Sequence, residues 1–258
     1  MEIKDTIVVV TGAASGIGEA LVHRFAREGA AAVAALDLDG DGARQVAKAV
    51  DGLSYQLDVA DDTRTAEVFK DIEDRFGRID IVCLNAGIAT GGSVDAPNDI
   101  WDRSWDVNVM SHVYATRCVL PGMLERGRGY LVHTASAAGL LTNIGAAPYS
   151  VTKHAVVALA EWLSVTYGDR GIGVSALCPQ FVDTPMLDVF AGDSPEMRSW
   201  VNSIAVSADD VATTVVRGIT EETFLMLPHP EVAEFFGRKA ADYDRWIEGM
   251  RRLQASME

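Results

Sequence analysis

The sequence predicts an α/β protein: a doubly wound parallel sheet of seven strands with helices on both faces. Two observations carry this. Seven short, nearly continuous apolar runs mark strands covered on both sides. Stretches of helical periodicity separate them, the pattern of repeated βαβ units. No linker rich in Ser, Pro or Gly divides the 258 residues, and no internal repeat is visible. A single domain over 1–258 is therefore expected.

The elements follow in order. "TIVVVT" (6–11) is the first strand, and a helical pattern runs over 16–28. "AAVAALD" (31–37) and a helix over 41–50 come next, then "LSYQLDV" (53–59) and a helix over 62–76. "IDIVCLN" (79–85) leads into a long helical pattern, 97–126. "GYLVHTAS" (129–136) precedes a helix over 149–169, in which Val156, Val157, Ala160 and Leu163 recur at helical spacing behind an entry at Pro148. "IGVSALCP" (172–179), a helix over 208–220 and "TFLMLP" (223–228) complete the sheet. Two segments stand outside the alternation. Residues 185–207 form a mixed insertion near the end of the sixth strand, a candidate wall of a substrate pocket. Residues 231–254 form an amphipathic tail whose default role is packing on its own domain.

Bulk composition excludes some functions. With 22 basic and 37 acidic residues the formal charge is −15, which disfavours nucleic acid and anionic membrane as partners. Cys83, Cys118 and Cys178 lie in apolar runs, at spacings that suit neither zinc nor a redox CxxC pair. They read as buried free thiols in a reducing compartment. The N-terminus lacks a signal-peptide charge pattern, so a cytoplasmic protein is expected. The five histidines show no metal-ligand spacing, and no metal is expected.

Three local patterns carry chemistry. The first strand runs into "TGAASGIGEAL", placing Gly12, Gly16 and Gly18 at a strand-to-helix turn. Glycines there let the backbone approach a pyrophosphate, and the helix N-terminus offers free amides. Asp37 lies nineteen residues after Gly18, at the end of the second strand. A carboxylate there accepts from a ribose 2′-hydroxyl and repels a 2′-phosphate, and no Arg or Lys at 13–15 or 38–39 offsets it. The cofactor implied is NAD rather than NADP. The third pattern is "YSVTK", with Tyr149 and Lys153 four apart on one helix face. Such a pair often just buries apolar stems and keeps polar tips wet. Its functional reading is that the ammonium lowers the phenol pKa from about 10, making the tyrosine a usable proton carrier.

Together these patterns resemble the classical short-chain dehydrogenase/reductase (SDR) family over about residues 3–228, which implies a Rossmann-like fold. Thr11–Gly18 match the family's TGxxxGxG, and Asn85, Ala86 and Gly87 its NAG. Asp58 and Val59 match an adenine-contacting dipeptide, and Ser136 lies thirteen residues before Tyr149, where the family has its catalytic serine. Asn108 sits where a fourth-helix asparagine completes the tetrad. The resemblance implies a cofactor site of Gly12, Ser15, Gly16, Ile17, Gly18, Asp37, Leu38, Asp58, Val59, Asn85, Ala86, Gly87, Tyr149, Lys153, Pro179, Val182 and Thr184. Gln180 departs from the pattern: it stands where the family usually has the glycine of Pro–Gly.

The implied reaction is hydride transfer between NAD and a secondary alcohol or ketone. Tyr149 would exchange the hydroxyl proton, Lys153 would lower its pKa and hold the nicotinamide ribose, Ser136 would orient the substrate oxygen, and Asn108 would anchor a relay water. Ser136, Tyr149, Gln180, Met186 and Leu187 should line the substrate end, with Leu140, Leu141, Ile144, Val189 and Phe190 as apolar neighbours. That composition favours an uncharged, hydrophobic substrate; a 3-oxoacyl or hydroxysteroid type of reductase is the alternative. Relatives imply a homo-oligomer, tetramer or dimer. Two rivals fit less well. Nucleotide-sugar dehydratases or epimerases of the family carry TGxxGxxG and a longer C-terminal part, and a non-catalytic NAD sensor need not keep Ser, Tyr, Lys and Asn together.

Overall fold

The computed structural model describes residues 1–187 and 195–256. Its centre is a fully parallel sheet built from β1 (Ile7–Thr11), β2 (Ala32–Asp37), β3 (Leu53–Gln56), β4 (Ile81–Leu84), β5 (Gly129–Thr134), β6 (Ile172–Leu177) and a short last strand, Leu225–Met226. Their spatial order is β3-β2-β1-β4-β5-β6 and then Leu225–Met226. The order reverses between β1 and β4, so a crevice opens beyond their carboxyl ends, where open α/β sheets bind ligands.

Side-chain alternation feeds two cores. Ile7 and Val9 of β1 face one, Val8 and Val10 the other. The first core packs under α3 (Asp62–Phe76), α5 (Ser111–Arg126) and α7 (Ala147–Tyr167), with Phe69, Met123 and Val156 buried. The second packs under α1 (Gly16–Arg27), α2 (Gly40–Lys48) and α9 (Ala208–Glu221), with Phe25, Val46 and Val215 buried. Each large apolar side chain buried this fully contributes about 1.5–3 kcal/mol. Polar side chains mark the helix starts: Asp39, Asp61 and Ser207 accept from first-turn amides of α2, α3 and α9.

Four differences from the sequence reading have physical causes. The pattern over 97–126 is not one helix. It divides into α4 (Asn98–Trp105), a π-helical turn (Asp106–Met110) and α5. A π turn absorbs one extra residue and re-aims the side chains that follow, and it holds Asn108. The strands read over 53–59 and 223–228 are shorter, Leu53–Gln56 and Leu225–Met226, because both stand at the sheet's edges. A short helix, α6 (Ala138–Leu141), follows Ser136. The tail is two helices, α10 (Glu231–Ala241) and α11 (Tyr243–Ala255), broken where Asp242 turns extended and caps α11 through Arg245 N–H. Only part of it packs on the domain: Val232 and Lys239 are buried, while Phe236, Tyr243, Ile247 and Leu253 are exposed.

The insertion leaves through β7 (Val182–Asp183) and returns through β8 (Val206–Ser207), which pair as a parallel two-strand ladder. α8 (Pro195–Ile204) lies within it. Val189 and Phe190 fall outside the described residues. No described helix is long and apolar enough to cross a membrane.

Candidate active site

A cavity of about 560 Å³ occupies the crevice at the strand ends. It brings together nearly every residue singled out from the sequence. Gly12, Ser15, Gly16, Ile17, Asp37, Leu38, Asp58, Val59, Asn85, Ala86 and Gly87 line it, together with Ser136, Tyr149, Lys153, Pro179, Gln180, Val182, Thr184, Met186 and Leu187.

The turn between β1 and α1 is built as a phosphate cradle. Gly12 and Gly16 hold φ of +65° and +56°, the left-handed region that favours glycine. A Cβ on Gly12 would stand 2.8 Å from Ala86 Cα, so a side chain there would collide with the NAG turn. Gly18 lies behind the cavity: a Cβ there would sit 1.9 Å from the Gly12 carbonyl oxygen. Its part is close packing of α1 on β1, rather than the cofactor contact expected. Ser15, the N-cap of α1, makes no side-chain cap bond, which leaves the helix amides open to an anion. Thr11 braces the cradle, its hydroxyl accepting from Asn85 N–H (2.9 Å) and Ala86 N–H (3.0 Å).

At the adenosine end, Asp37 accepts from Ala14 N–H and Asp39 N–H, both at 2.9 Å. Two amides thus aim the carboxylate, which suits a ribose diol. Arg103 also lines the cavity and pairs with Asp58 at 3.1 Å. The sequence reading missed it. Nothing local joins α4 to the end of β3; only the folded chain brings the two together.

At the reactive end, Tyr149 and Lys153 stand on the first turns of α7, both buried. Lys153 donates to the Thr134 carbonyl at 2.9 Å and lies 5.7 Å from the Tyr149 ring centre. Ser136 is hydrogen-bonded to the Tyr149 hydroxyl and also accepts from Ala138 N–H. The electrostatics depart from the expectation. Burial pushes the Tyr149 phenol above its usual value, the Ser136 hydrogen bond pulls it back, and nearby Cys178 adds to the rise. Burial also brings Lys153 down to about 8. Desolvation disfavours both charged forms and outweighs the mutual help that four-residue spacing suggested.

Asn108 is fully buried in the π turn. Its amide donates to the Ile88 carbonyl (3.0 Å) and Thr152 Oγ1 (3.1 Å), while its Oδ1 accepts from Ile88 N–H (2.8 Å). The side chain therefore ties the strand-four loop to α7. It is not among the cavity-lining residues, and both its amide hydrogens are donated, so a relay water would bond to its Oδ1 or backbone carbonyl. Leu140 and Leu141 pack into the core instead of the cavity, because α6 turns them inward. Ile144 is also absent from the lining. Leu57, Ile88, Ala89, Val107, Thr134, Ala135 and Pro185 line it without having been singled out.

Fold and site define an oxidoreductase that works with a nicotinamide dinucleotide. The chain belongs to the short-chain dehydrogenase family, whose profile matches residues 6–193. Among similar curated proteins, 1-deoxy-11-beta-hydroxypentalenate dehydrogenase of Streptomyces exfoliatus is 36% identical over 244 residues, covering 90% of this chain and 86% of its own. Meso-2,3-butanediol dehydrogenase of Serratia marcescens is 34% identical, covering 72% of this chain and 75% of its own. The crystal structure of an SDR from Burkholderia phymatum in complex with NAD superposes with a TM-score of 0.86 at 27% identity, covering 95% of this chain and 96% of that one.

Proposed function

We propose that the protein is an NAD-dependent dehydrogenase of an uncharged, hydrophobic secondary alcohol, acting through Ser136, Tyr149 and Lys153 in one domain. One observation carries the reading: these three polar side chains line the same cavity as the Asp37 carboxylate. Bound among Gly12, Gly16, Asp37, Tyr149 and Lys153, an oxidised nicotinamide dinucleotide would supply the hydride acceptor. Ser136 donates to the substrate oxygen and orients it. Tyr149 takes the hydroxyl proton as the carbonyl forms, and returns it in reduction. Lys153 stabilises the phenolate and offers its ammonium to the ribose. Asn108 holds the Ile88 loop and α7 in register, so that Tyr149 and Lys153 face the cavity. Met186 and Leu187 supply the apolar wall that supports a hydrophobic substrate, and the dehydrogenase names of the two relatives support the alcohol class.

The test is NADH formation across a panel of hydrophobic secondary alcohols, with Tyr149→Phe as control. The variant should lose nearly all turnover and keep NAD binding. Turnover within about tenfold of wild type, 1.4 kcal/mol of barrier, would contradict the assignment. The three free thiols support a cytoplasmic location. Exposed Trp162 and Val165 on α7 support a homo-oligomer, dimer or tetramer, which light scattering would size.

A further inference from the structure

The insertion that walls the substrate end has a narrow neck, and a histidine from outside it holds that neck. His229 lies on the turn between the last strand and α10 and is 2% exposed. Its Nδ1 accepts from Gln180 N–H at 3.1 Å. Its Nε2 stands 2.9 Å from the Phe181 carbonyl oxygen, which can only accept, so Nε2 carries the proton. Both ring nitrogens are thus committed and the imidazole is a neutral, defined tautomer. Burial, the largest influence on it, also holds the ring neutral.

The same Phe181 carbonyl receives Val206 N–H at 3.1 Å, where the insertion returns. The Phe181 ring meets Trp200 of α8 edge-on, centres 5.7 Å apart. One imidazole therefore bonds both ends of Gln180–Phe181, and the Phe181 carbonyl it reaches also ties down the returning strand. Gln180 lines the cavity, as do Met186 and Leu187.

We propose that His229 is a positioning residue that holds the Gln180–Phe181 peptide so that the Gln180 carboxamide faces the substrate, making Gln180 a specificity-determining contact. An imidazole suits this task because it accepts on one side and donates on the other across a rigid ring. Leucine does neither, whereas glutamine keeps one acceptor and one donor. The substrate implied carries, besides its reacting carbinol, a second uncharged polar group able to bond a carboxamide. The inference rests on the alcohol dehydrogenase reading for its kinetic arm and on the fold alone for its exchange arm.

The experiment compares wild type, His229→Leu, His229→Gln, Gln180→Gly and the double variant His229→Leu/Gln180→Gly. Hydrogen exchange is read at the Gln180 and Val206 amides, NADH affinity by fluorescence, and kcat and KM on the best alcohol of the panel. His229→Leu should speed exchange at both amides and raise KM about tenfold, with kcat and NADH affinity within about threefold. His229→Gln should recover most of the KM. The double variant should match Gln180→Gly, because both changes remove one contact. Unchanged exchange in His229→Leu overturns the proposal, as do KM effects that multiply in the double variant. A fall in kcat and NADH affinity that glutamine does not rescue also overturns it. If wild type oxidises none of the alcohols, the functional reading fails while the exchange arm still decides whether His229 holds the neck.

Discussion

Two buried histidines set how the protein responds to acid. His112 of α5 and His133 of β5 are essentially inaccessible, with Nδ1 atoms 3.0 Å apart and rings stacked. One proton serves that contact, so the neutral pair needs opposite tautomers, and both Nε2 atoms are left without partners. Burial brings His133 down to about 3, and burial, His133 and then Lys153 hold His112 well below its usual value. Both folded pKa values are depressed, and the folded state refuses the proton that the unfolded chain binds near 6.5. The stability is therefore complete above pH 6.5 and is lost as pH falls from there toward the folded values. For His133 alone the loss between pH 6.5 and 5 is about 1.5 kcal/mol, and His112 adds to it in the same direction. Leucine at both positions removes the titrating pair and, as a matched apolar replacement, avoids the orphaned partner that either single change leaves. Urea unfolding followed by tryptophan fluorescence at pH 7, 6 and 5, at one protein concentration, compares the two proteins. Acid sensitivity from carboxylates cancels in the difference. The double variant should lose at least about 1.5 kcal/mol less than wild type across that range. Equal pH slopes would refute the argument.

Other outcomes follow from the same geometry. Gly18→Ala puts a methyl 1.9 Å from the Gly12 carbonyl oxygen; it should cost about 3 kcal/mol or more, seen as a large fall in Tm. Asp37→Ser replaces the charged carboxylate with a shorter, weaker acceptor and removes its repulsion of a 2′-phosphate. NAD affinity should fall about tenfold and NADP affinity should rise, in paired fluorescence titrations. Burial places Lys153 at about 8, so kcat/KM for ketone reduction should decline above pH 8 as the ammonium is lost. A flat profile to pH 9.5 would place the essential cation elsewhere.

The parts of the site written as local spacing were legible. Gly12, Gly16 and Asp37 lie along one βαβ unit, and Ser136, Tyr149 and Lys153 span a strand end and one helix. Strand–helix alternation likewise set the parallel sheet, since each apolar run had to be covered on both faces. Contacts between distant segments were not legible. Arg103 reaches Asp58 across 45 residues, and His229 reaches Gln180 across 49. The π turn was hidden because apolar periodicity passes through 106–110 whether the chain makes an α or a π turn there. The phenol's raised pKa was hidden for another reason. Spacing reports that a cation is near, but burial, which no spacing reports, decides which charged form survives.

The ladder between Val182–Asp183 and Val206–Ser207 joins the stem of the excursion that walls the pocket. Because both feet stand side by side, lengthening or shortening what lies between them asks nothing of the seven-stranded platform. New chemistry in the chamber can then be acquired by grafting another excursion beyond Thr184, which packs against Gly16, with the hydride machinery left as it is.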